Sequence, residues 1–455
     1  MQEVMQYMKI MFASLGCDKN LVDTENMLGI LNDKGFEFTD DETQADVIVI
    51  NTCCFIHDAK EESINTILEM AQYKEQNLKA LVVAGCLAER YKDEILKEIP
   101  EIDAVLGTTS YDSIVEAVNT ALEENTGEHF EHYESIDYLP DNSEVERVVT
   151  TGNHMAYLKI AEGCDKRCSY CIIPKIRGRF RSVPMQELLN EAKRLASEGV
   201  KELVLVAQET TLYGKDLTGE KQLPLLLHEL CKIEGIEWIR LLYCYPEEIT
   251  DELIKVIKTE EKVCNYIDMP IQHSENRILQ RMGRRTSRED LVAVIKKLRK
   301  EIPDITIRTT LITGFPGESQ EDHEGLMNFV EECQFDRLGV FTYSPEEDTL
   351  AATFEDQIDE EVKEERRDEL MSLQQEISYE HTQQLVGKTI KVMVEGYLFE
   401  DDIYVGRSYM DAPKVDGCVF INSPEELMTG DFVYVKITQG REYDVIGEVD
   451  YEFTK

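Results

Sequence analysis

The sequence is poor in positive charge. Its 455 residues contain 48 Lys and Arg against 91 Asp and Glu, which leaves a net charge of −43. Affinity for nucleic acid depends on cationic side chains that neutralise phosphates, so this balance argues against direct nucleic-acid binding. It favours a basic partner instead, although many proteins are acidic only for solubility. The charge becomes informative once the chemistry is known.

Long apolar runs are also missing. No segment approaches the roughly 18 apolar residues of a membrane-spanning helix. The N-terminal stretch, MQEVMQYMKIMFASLGC, has an acidic residue where a secretory signal would be basic. It also lacks a clean apolar core and a small-residue cleavage site. We therefore expect a cytoplasmic protein without membrane contact.

Polar catalytic constellations are scarce as well. The eight histidines are scattered without metal-ligand spacing, and no Ser/His/Asp set or carboxylate pair stands out. We therefore assign no catalytic side chain. Twelve cysteines are present, and clustered thiols in a reducing compartment indicate metal binding or catalysis before disulfides.

The N-terminal part alternates strand and helix patterns, which predicts a parallel α/β domain over residues 1–122. Its apolar strands are MKIMFASLGC, ADVIVINTC and KALVVAGC. Helical patterns follow each strand, near residues 20–34, 57–76 and 87–99. Residues 123–150 are acidic with weak periodicity, and we interpret them as a linker.

The alternation resumes over residues 151–345, with six strand candidates. These are MAYLKIAEGC, KELVLVAQ, WIRLLYCY, YIDMPIQH, ITIRTTLITGF and RLGVFTYS. The helical patterns between them lie near 184–198, 223–233, 247–259, 274–300 and 319–333. Six strand–helix repeats predict an open or partial (β/α)6 barrel, with its active site at the carboxyl ends of the strands.

Two further segments complete the α/β chain. Residues 346–384 are charged and predict a helical connector. Residues 385–455 contain the strand-like stretches TIKVMVEGY, DIYVGRSY and DFVYVKITQG, which favour a small antiparallel β-barrel. From residue 387 onward this tail has 14 acidic and 7 basic residues, a net charge of −7.

One cysteine group occupies a tight loop at the end of the first barrel strand. In GCDKRCSYC, Cys164, Cys168 and Cys171 have the spacing C-x3-C-x2-C. Structural zinc needs four ligands, so zinc would have to recruit a remote residue such as His154. An iron–sulfur cubane held by three cysteines instead keeps one iron free for a substrate or cofactor.

A second cysteine group is dispersed in sequence. Cys17, Cys53 and Cys86 each end one of the three apolar strands of the first domain. Parallel strands have their carboxyl ends on one edge of the sheet, so these cysteines can converge without a local motif. Each alone is more typical of a small buried residue, but together they favour a second cluster with an open iron.

The remaining features near the first loop are a basic stretch and other cysteines. KIRGRFR contains four bases, which would balance an anionic cluster or remain as a solvated loop: Lys175, Arg177, Arg179 and Arg181. Five other cysteines lie in apolar or isolated contexts and are interpreted as structural: Cys231, Cys244, Cys264, Cys333 and Cys418.

The loop with C-x3-C-x-aromatic-C, whose aromatic residue is Tyr170, resembles the radical S-adenosylmethionine (SAM) superfamily. The resemblance implies a [4Fe–4S] cluster whose open iron is chelated by SAM, and SAM cleavage to a 5′-deoxyadenosyl radical. LITGFPGE, with Gly314 and Gly317, is similar to the superfamily's glycine-containing SAM-contact segment. Gln208, which ends the second barrel strand, is a further candidate SAM contact.

SLGCDKNLVDTE, NTCCFI and AGCLAERY, followed by the radical SAM loop and the small barrel, resemble the methylthiotransferase family along nearly the whole chain. The resemblance implies two [4Fe–4S] clusters, each held by three cysteines, with SAM as cosubstrate. One SAM would methylate a sulfur held at the first cluster, and a second would generate the radical that opens a substrate C–H bond. Cys54 stands where many members have glycine, and this thiol could compete with Cys53 for iron.

Two branches of the family differ in substrate. One modifies the β-carbon of an aspartate in the twelfth small-subunit ribosomal protein, and the other modifies an adenosine of tRNA. A tRNA enzyme is expected to present basic surface to phosphates, whereas this chain and its tail are acidic. We therefore expect the basic ribosomal protein as substrate, with a flavodoxin or ferredoxin as electron donor. An electron carrier with two clusters and a zinc scaffold are the alternatives from other classes.

Overall fold

Three parts follow one another along the chain: an α/β layer, a barrel of parallel strands and a small closed barrel. The computed structural model describes residues 8–123 and 129–452. The first residues of the N-terminal stretch, residues 124–128 of the expected linker and residues 453–455 of the tail lie outside the described residues. No helix in the described ranges is long and apolar enough to cross a membrane.

The N-terminal sheet has six parallel strands in the order β2-β1-β3-β4-β5-β6. Their bounds are Lys9–Ser14 (β1), Glu37–Phe38 (β2), Val47–Thr52 (β3), Ala80–Gly85 (β4), Ala104–Leu106 (β5) and Phe130–His132 (β6). Every residue of β3 and β4 is buried, as continuous apolar runs in a covered parallel sheet require. The sequence predicted β1, β3 and β4. The other three strands are too short to show periodicity, and β6 lies within the stretch interpreted as a linker.

Helices cover this sheet after each of its main strands. They are Asp18–Asp33 (α1), His57–Ala71 (α2), Cys86–Arg90 (α3), Ile95–Glu98 (α4) and Ile114–Leu122 (α5). The helix expected near 87–99 is divided into α3 and α4. The helix α5 was not predicted.

The central part contains six parallel strands and one short hairpin. The bounds are Met155–Lys159 (β7), Ala161–Glu162 (β8), Arg181–Ser182 (β9), Glu202–Val206 (β10), Trp238–Leu241 (β11), Tyr266–Asp268 (β12), Thr306–Thr313 (β13) and Arg337–Thr342 (β14). Two ladders, β7-β10-β11 and β12-β13-β14, meet through the bridge Ile239↔Val263. All six predicted barrel strands are present, and the arrangement is a partial barrel.

Eight helices of the described chain lie in the central part. They are Ile173–Ile176 (α6), Met185–Ser197 (α7), Lys215–Thr218 (α8), Leu223–Cys231 (α9), Asp251–Thr259 (α10), Asn276–Arg281 (α11), Arg288–Glu301 (α12) and Gln320–Cys333 (α13). The single helix expected near 274–300 is split. Gly283, with φ of +73°, ends α11, and Ser287 forms a capping box with Asp290 that begins α12.

The expected connector helix spans Glu360–Gln383 (α14) and packs against the barrel. It buries Leu370, Gln374 and Ile377, which share one helix face. The Gln374 amide donates a hydrogen bond of 2.8 Å to the backbone oxygen of Phe335. The connector is therefore a packed element rather than a free tether.

The C-terminal barrel closes in the order β15-β16-β17-β19-β18. Its strands are Thr389–Leu398 (β15), Ile403–Ser408 (β16), Val419–Asn422 (β17), Phe432–Gly440 (β18) and Val445–Val449 (β19). Four pairings are antiparallel as predicted, and β17 pairs with β19 in parallel. A closed barrel with an odd number of strands cannot alternate direction throughout, so one parallel pair is required.

The small barrel docks at the amino-terminal ends of the central strands. Glu202, the first residue of β10, accepts hydrogen bonds from Arg240 at 2.8 Å and from Arg407 of β16 at 2.6 Å. Trp238, the first residue of β11, packs edge-on against Phe432 with ring centroids 4.8 Å apart. The carboxyl ends of the same strands are thereby left to the N-terminal domain.

Candidate active site

Three cysteines lie at the carboxyl edge of the N-terminal sheet, and their role as ligands of one cluster stays a prediction. Cys53 and Cys86 directly follow β3 and β4, and Cys17 follows β1 after two residues. These strands are neighbours in the sheet. The Cys17 and Cys53 loops touch, since a Cβ placed on Gly16 would lie 2.8 Å from the Cys53 sulfur.

Asn20 ties the three cysteine loops together. Its side-chain amide donates to the backbone oxygens of Leu15 at 3.0 Å and Thr52 at 2.9 Å. Its amide oxygen lies 3.9 Å from the Cys86 sulfur. The sequence analysis did not single out Asn20, although its position three residues after Cys17 is a usable signal.

The environment of this cysteine group is mixed in polarity. Burial raises the pKa of Cys53 and of Cys86, and the nearby Arg177 acts in the opposite direction on both. Cys17 is exposed and is the N-cap residue of α1, and its side chain makes no capping hydrogen bond to the helix.

Cys54 differs from Cys53 in its surroundings, although it also lies close to Cys86. It is fully buried in the apolar core beneath the sheet, among residues such as Ile50 and Leu87. Its thiol donates a hydrogen bond of 3.1 Å to the backbone oxygen of Cys86, and burial raises its pKa to about 12. The hydrogen bond and the raised pKa favour a structural role for Cys54, and Cys53 as the ligand stays a prediction.

The second cysteine group lies in the loop after β7 and β8. Cys164 donates its N–H to the backbone oxygen of Gly178 at 3.1 Å, and Cys171 donates to that of Cys168 at 3.1 Å. The neighbouring Ser169 donates backbone and side-chain hydrogen bonds to Met282 and Arg281, at 2.9 and 2.7 Å. The loop is thus fixed at both ends. Burial raises the pKa of Cys164 to about 12.

A buried ionic network lies between the two cysteine groups. Arg177 donates from one terminal nitrogen to Asp23 and to Glu162, each at 2.9 Å. Its other terminal nitrogen lies 3.5 Å from the Cys86 sulfur. Lys159 contacts the same two carboxylates. Since Glu162 precedes Cys164 by two residues, the network joins one cysteine group to the other.

Three family models match consecutive parts of the chain. They are the uncharacterized protein family UPF0004 at residues 9–107, the radical SAM superfamily at 158–330 and the TRAM domain at 386–449. Each matched range coincides with one of the three folded parts. The chain is thus assembled from these three domains in this order.

Relatives match over almost the full length. "Ribosomal protein uS12 methylthiotransferase RimO" of Lachnoclostridium phytofermentans is 62% identical, covering 97% of this chain and 100% of its own. The proteins of the same name from Acetivibrio thermocellus and Clostridioides difficile are 51% and 50% identical, over 98% of this chain and 99% of theirs. The chain belongs to the RimO family of radical SAM methylthiotransferases.

Solved structures of other radical SAM enzymes share the fold of this RimO-family chain. The methyltransferase TsrM from Kitasatospora setae, with cobalamin and a [4Fe–4S] cluster bound, aligns with a TM-score of 0.56. It is 13% identical and covers 84% of this chain and 79% of its own. The enzyme OxsB with aqua-cobalamin and SAM bound gives a TM-score of 0.51 at 13% identity, over 80% of this chain and 57% of its own.

The chemistry of both cysteine groups is compatible with iron–sulfur clusters, and the assignment of two clusters stays a prediction. Each group supplies three cysteine sulfurs, which are the usual protein ligands of such clusters. Within the described ranges, no three His, Cys, Asp or Glu side chains are arranged to hold a single metal ion. His154, the remote zinc ligand considered from sequence, precedes β7 and faces Glu395 at 3.6 Å. It therefore lies at the opposite end of the strand from the cysteine loop.

Two predicted SAM contacts border the second cysteine group. Tyr170 lies inside the loop and packs edge-on against Phe315, with ring centroids 6.5 Å apart. Gln208 donates a hydrogen bond of 2.7 Å to Glu162, and its amide oxygen has no partner among the described residues. Both positions stay predictions as SAM contacts.

The two predicted glycine contacts are explained by protein neighbours. Gly314 has φ of +68°, and a Cβ there would collide with the side chain of Lys363 on α14. Gly317 has φ of +80°, and a Cβ there would collide with Asp356. Residues of the connector segment therefore occupy the space beside both glycines. Their role in binding SAM stays a prediction.

Two buried polar residues near this loop were missed in the sequence analysis. Arg284 stacks on Tyr245 at 4.4 Å, and two of its nitrogens lack partners in the described part of the chain. Both carboxylate oxygens of Glu209 also lack hydrogen bonds there. Burial and the nearby Glu247 and Glu248 raise the pKa of Glu209 to about 7, while Lys166 opposes the shift. Glu209 lies 3.6 Å from Lys166, so Arg284 is the residue of the two whose buried donors stay available to a ligand.

Proposed function

We propose that this chain transfers a methylthio group to the β-carbon of an aspartate in ribosomal protein uS12. The observation that carries this proposal is a buried arginine between two groups of three cysteines, each of which follows parallel strands. Arg177 contacts Cys86 of one group and Glu162, two residues before Cys164 of the other. The relatives that bear the uS12 methylthiotransferase name support the same reaction.

Each cysteine group would hold one [4Fe–4S] cluster with one iron left open. The ligands would be Cys17, Cys53 and Cys86 at one site and Cys164, Cys168 and Cys171 at the other. With SAM as cosubstrate, the clusters supply the radical and sulfur chemistry that an unactivated C–H bond requires and that side chains lack.

The chain's own residues position these groups and exclude water. Strand ends and the hydrogen bonds of Asn20 fix the three loops of the first site. The hydrogen bond from the Ser169 hydroxyl to the backbone oxygen of Arg281 holds the loop of the second site. Arg284 would bind the SAM carboxylate, and Gln208 its amino group, because each offers an unpartnered atom of suitable charge or polarity. Burial of the ionic network keeps solvent from the space between the sites.

Charge supports a protein substrate rather than RNA. The chain carries −43 overall, and the tail from residue 387 carries −7, so phosphate backbones are repelled and a basic ribosomal protein is attracted. We propose no direct nucleic-acid binding by the enzyme. A flavodoxin or ferredoxin would donate electrons, and we propose a cytoplasmic location from the ribosomal-protein substrate.

An anaerobic assay tests the reaction and the substrate together. The protein is reconstituted with iron and sulfide, supplied with SAM, sulfide and reductant, and offered either uS12 or unmodified tRNA. We expect mass spectrometry to find a methylthio gain on one aspartate of uS12. A gain on tRNA alone would overturn the substrate assignment and retain the radical chemistry.

The Cys168→Ala variant tests the radical site. We expect it to lose 5′-deoxyadenosine formation because one of three ligands is removed. Cys333→Ala is the matched control, since Cys333 is equally buried but lies in the apolar core at the end of α13. Normal 5′-deoxyadenosine formation in the Cys168 variant would refute the assignment.

A further inference from the structure

The basic stretch KIRGRFR separates into residues with different surroundings. The side chains of Lys175 and Arg179 are 57% and 77% exposed and pair with surface carboxylates. Arg177 is only 2% exposed. The stretch adjoins the Cys164 loop in sequence, yet Arg177 points to the other cysteine group. Arg177 therefore differs from Lys175 and Arg179, because it is buried and contacts both domains.

The guanidinium of Arg177 is held in one orientation. One terminal nitrogen donates to Asp23 and Glu162, and the other contacts the side-chain oxygen of Asn20. The latter nitrogen also points at the Cys86 sulfur from 3.5 Å. The planar guanidinium of arginine has N–H donors in fixed directions, which suits these contacts. The ammonium of a lysine on its flexible chain could not reproduce them.

The charges of the network balance. Arg177 and Lys159 are cations, Asp23 and Glu162 are anions, and all four side chains are buried. Removal of one cation or one anion would leave one net charge beside Cys86, where little solvent is present to screen it.

We propose that Arg177 is a positioning residue that orients the Cys86 thiolate and raises the reduction potential of the cluster held by Cys17, Cys53 and Cys86. The inference rests on the proposed function, because it requires a cluster at that site. Hydrogen bonds to cluster sulfurs and nearby positive charge stabilise the reduced, more negative state. Arg177 therefore sets the potential of this cluster through its contact with Cys86.

Two substitutions are expected to act in opposite directions. Arg177→Gln leaves Asp23 and Glu162 with only Lys159, a net charge of −1, and shifts the midpoint potential to a more negative value. Asp23→Asn leaves a net charge of +1 and shifts it to a more positive value. A residue that served only to hold the domains together would not give shifts of opposite sign.

The experiment uses the full chain with Cys164, Cys168 and Cys171 all changed to Ala, so that only the first cluster is present. A redox titration followed by electron paramagnetic resonance gives the midpoint potential. Arg407→Gln is the matched control, because Arg407 is also buried between two domains and paired with a carboxylate, and its described ion pairs lie at the opposite end of the strands from the cysteine groups. We expect its midpoint to equal that of the unsubstituted background.

Opposite shifts in the two network variants, with none in the control, would support the inference. Unchanged midpoints, shifts in one common direction, or an equal shift in the control would overturn it. If the Arg177→Gln variant takes up no cluster, the Asp23→Asn variant tests the inference by itself. A midpoint potential that does not rise in Asp23→Asn would then overturn the inference. If the protein with the three Ala substitutions takes up no iron, the first cluster of the proposed function is refuted, and the inference is refuted with it.

Discussion

At the scale of residues, two adjacent cysteines just after one strand have different surroundings. The strand β3 ends at Thr52, so Cys53 and Cys54 both lie in the loop that follows it. Cys53 faces the neighbouring cysteine loops, and Cys54 enters the apolar core. These surroundings favour Cys53 as the ligand, and the competition for iron that the sequence raises is left to experiment.

The Cys54→Ala variant should keep its iron. We expect the iron content of the first site to equal that of the unsubstituted protein, while the free energy of unfolding falls by about 1 kcal/mol through loss of the buried hydrogen bond to Cys86. Iron analysis and denaturant unfolding measure the two effects. Cys53→Ala is the comparison and should lose the cluster. Loss of iron in Cys54→Ala would show that this thiol is a ligand.

At the scale of elements, the radical SAM loop depends on a tight crossing of two chain segments. Gly163 has φ of +76°, and a Cβ there would collide with the backbone oxygen of Arg179 in the hairpin of β8 and β9. The hairpin brings the cysteine loop and the basic stretch together. Only glycine satisfies both the left-handed backbone and the close approach.

Gly163→Ala should displace this loop. We expect reduced iron at the Cys164 site and less 5′-deoxyadenosine, because the backbone of Arg179 cannot yield as a side chain would. Gly219→Ala is the matched control, since Gly219 has φ of +84° with nothing within 4 Å of the added Cβ. It should show only the backbone cost of about 1 kcal/mol, with normal iron content. Equal iron in the two variants would contradict the crossing argument.

At the scale of the whole molecule, the two ends of the central barrel have separate tasks. The carboxyl ends of its strands face the N-terminal domain and both cysteine groups, and the amino ends bind the C-terminal barrel through Glu202. Burial opposes ionisation of Glu202, but Arg407 and Arg240 outweigh it and lower its pKa to about 2. The ionised carboxylate therefore stabilises the docked barrel.

The Glu202→Gln variant should reveal this contribution through pH. A lowered pKa stabilises the folded state fully above the unfolded value near 4.3, and the stabilisation is lost as pH falls toward 2. The gap in unfolding free energy between wild type and variant should therefore shrink by about 3 kcal/mol over that range. Thermal unfolding at several pH values measures it. Glu237→Gln, which removes an exposed pair with Lys391 across the same interface, should show little gap at any pH. A pH-independent gap for Glu202→Gln would contradict the assignment.

Local sequence patterns were sufficient to predict the strands and helices whose apolar periodicity is strong. The six barrel strands and the fully buried β3 and β4 follow from apolar runs and helix spacing alone. The strands β2, β5 and β6 are two or three residues long and form only because a neighbouring strand supplies their hydrogen bonds. The break before Ser287 likewise depends on one turn and one cap that periodicity does not show.

The sequence by itself determined which thiols could form a site, because strand ends and the C-x3-C-x2-C spacing are local properties of the chain. It also determined the acidic charge and the order of the three domains. Only the tertiary structure decided that Arg177 reaches Cys86, that Cys54 turns into the core, and that Lys363 and Asp356 occupy the space beside Gly314 and Gly317. These contacts join residues far apart in the chain, and their direction depends on how whole domains pack, which no local pattern encodes.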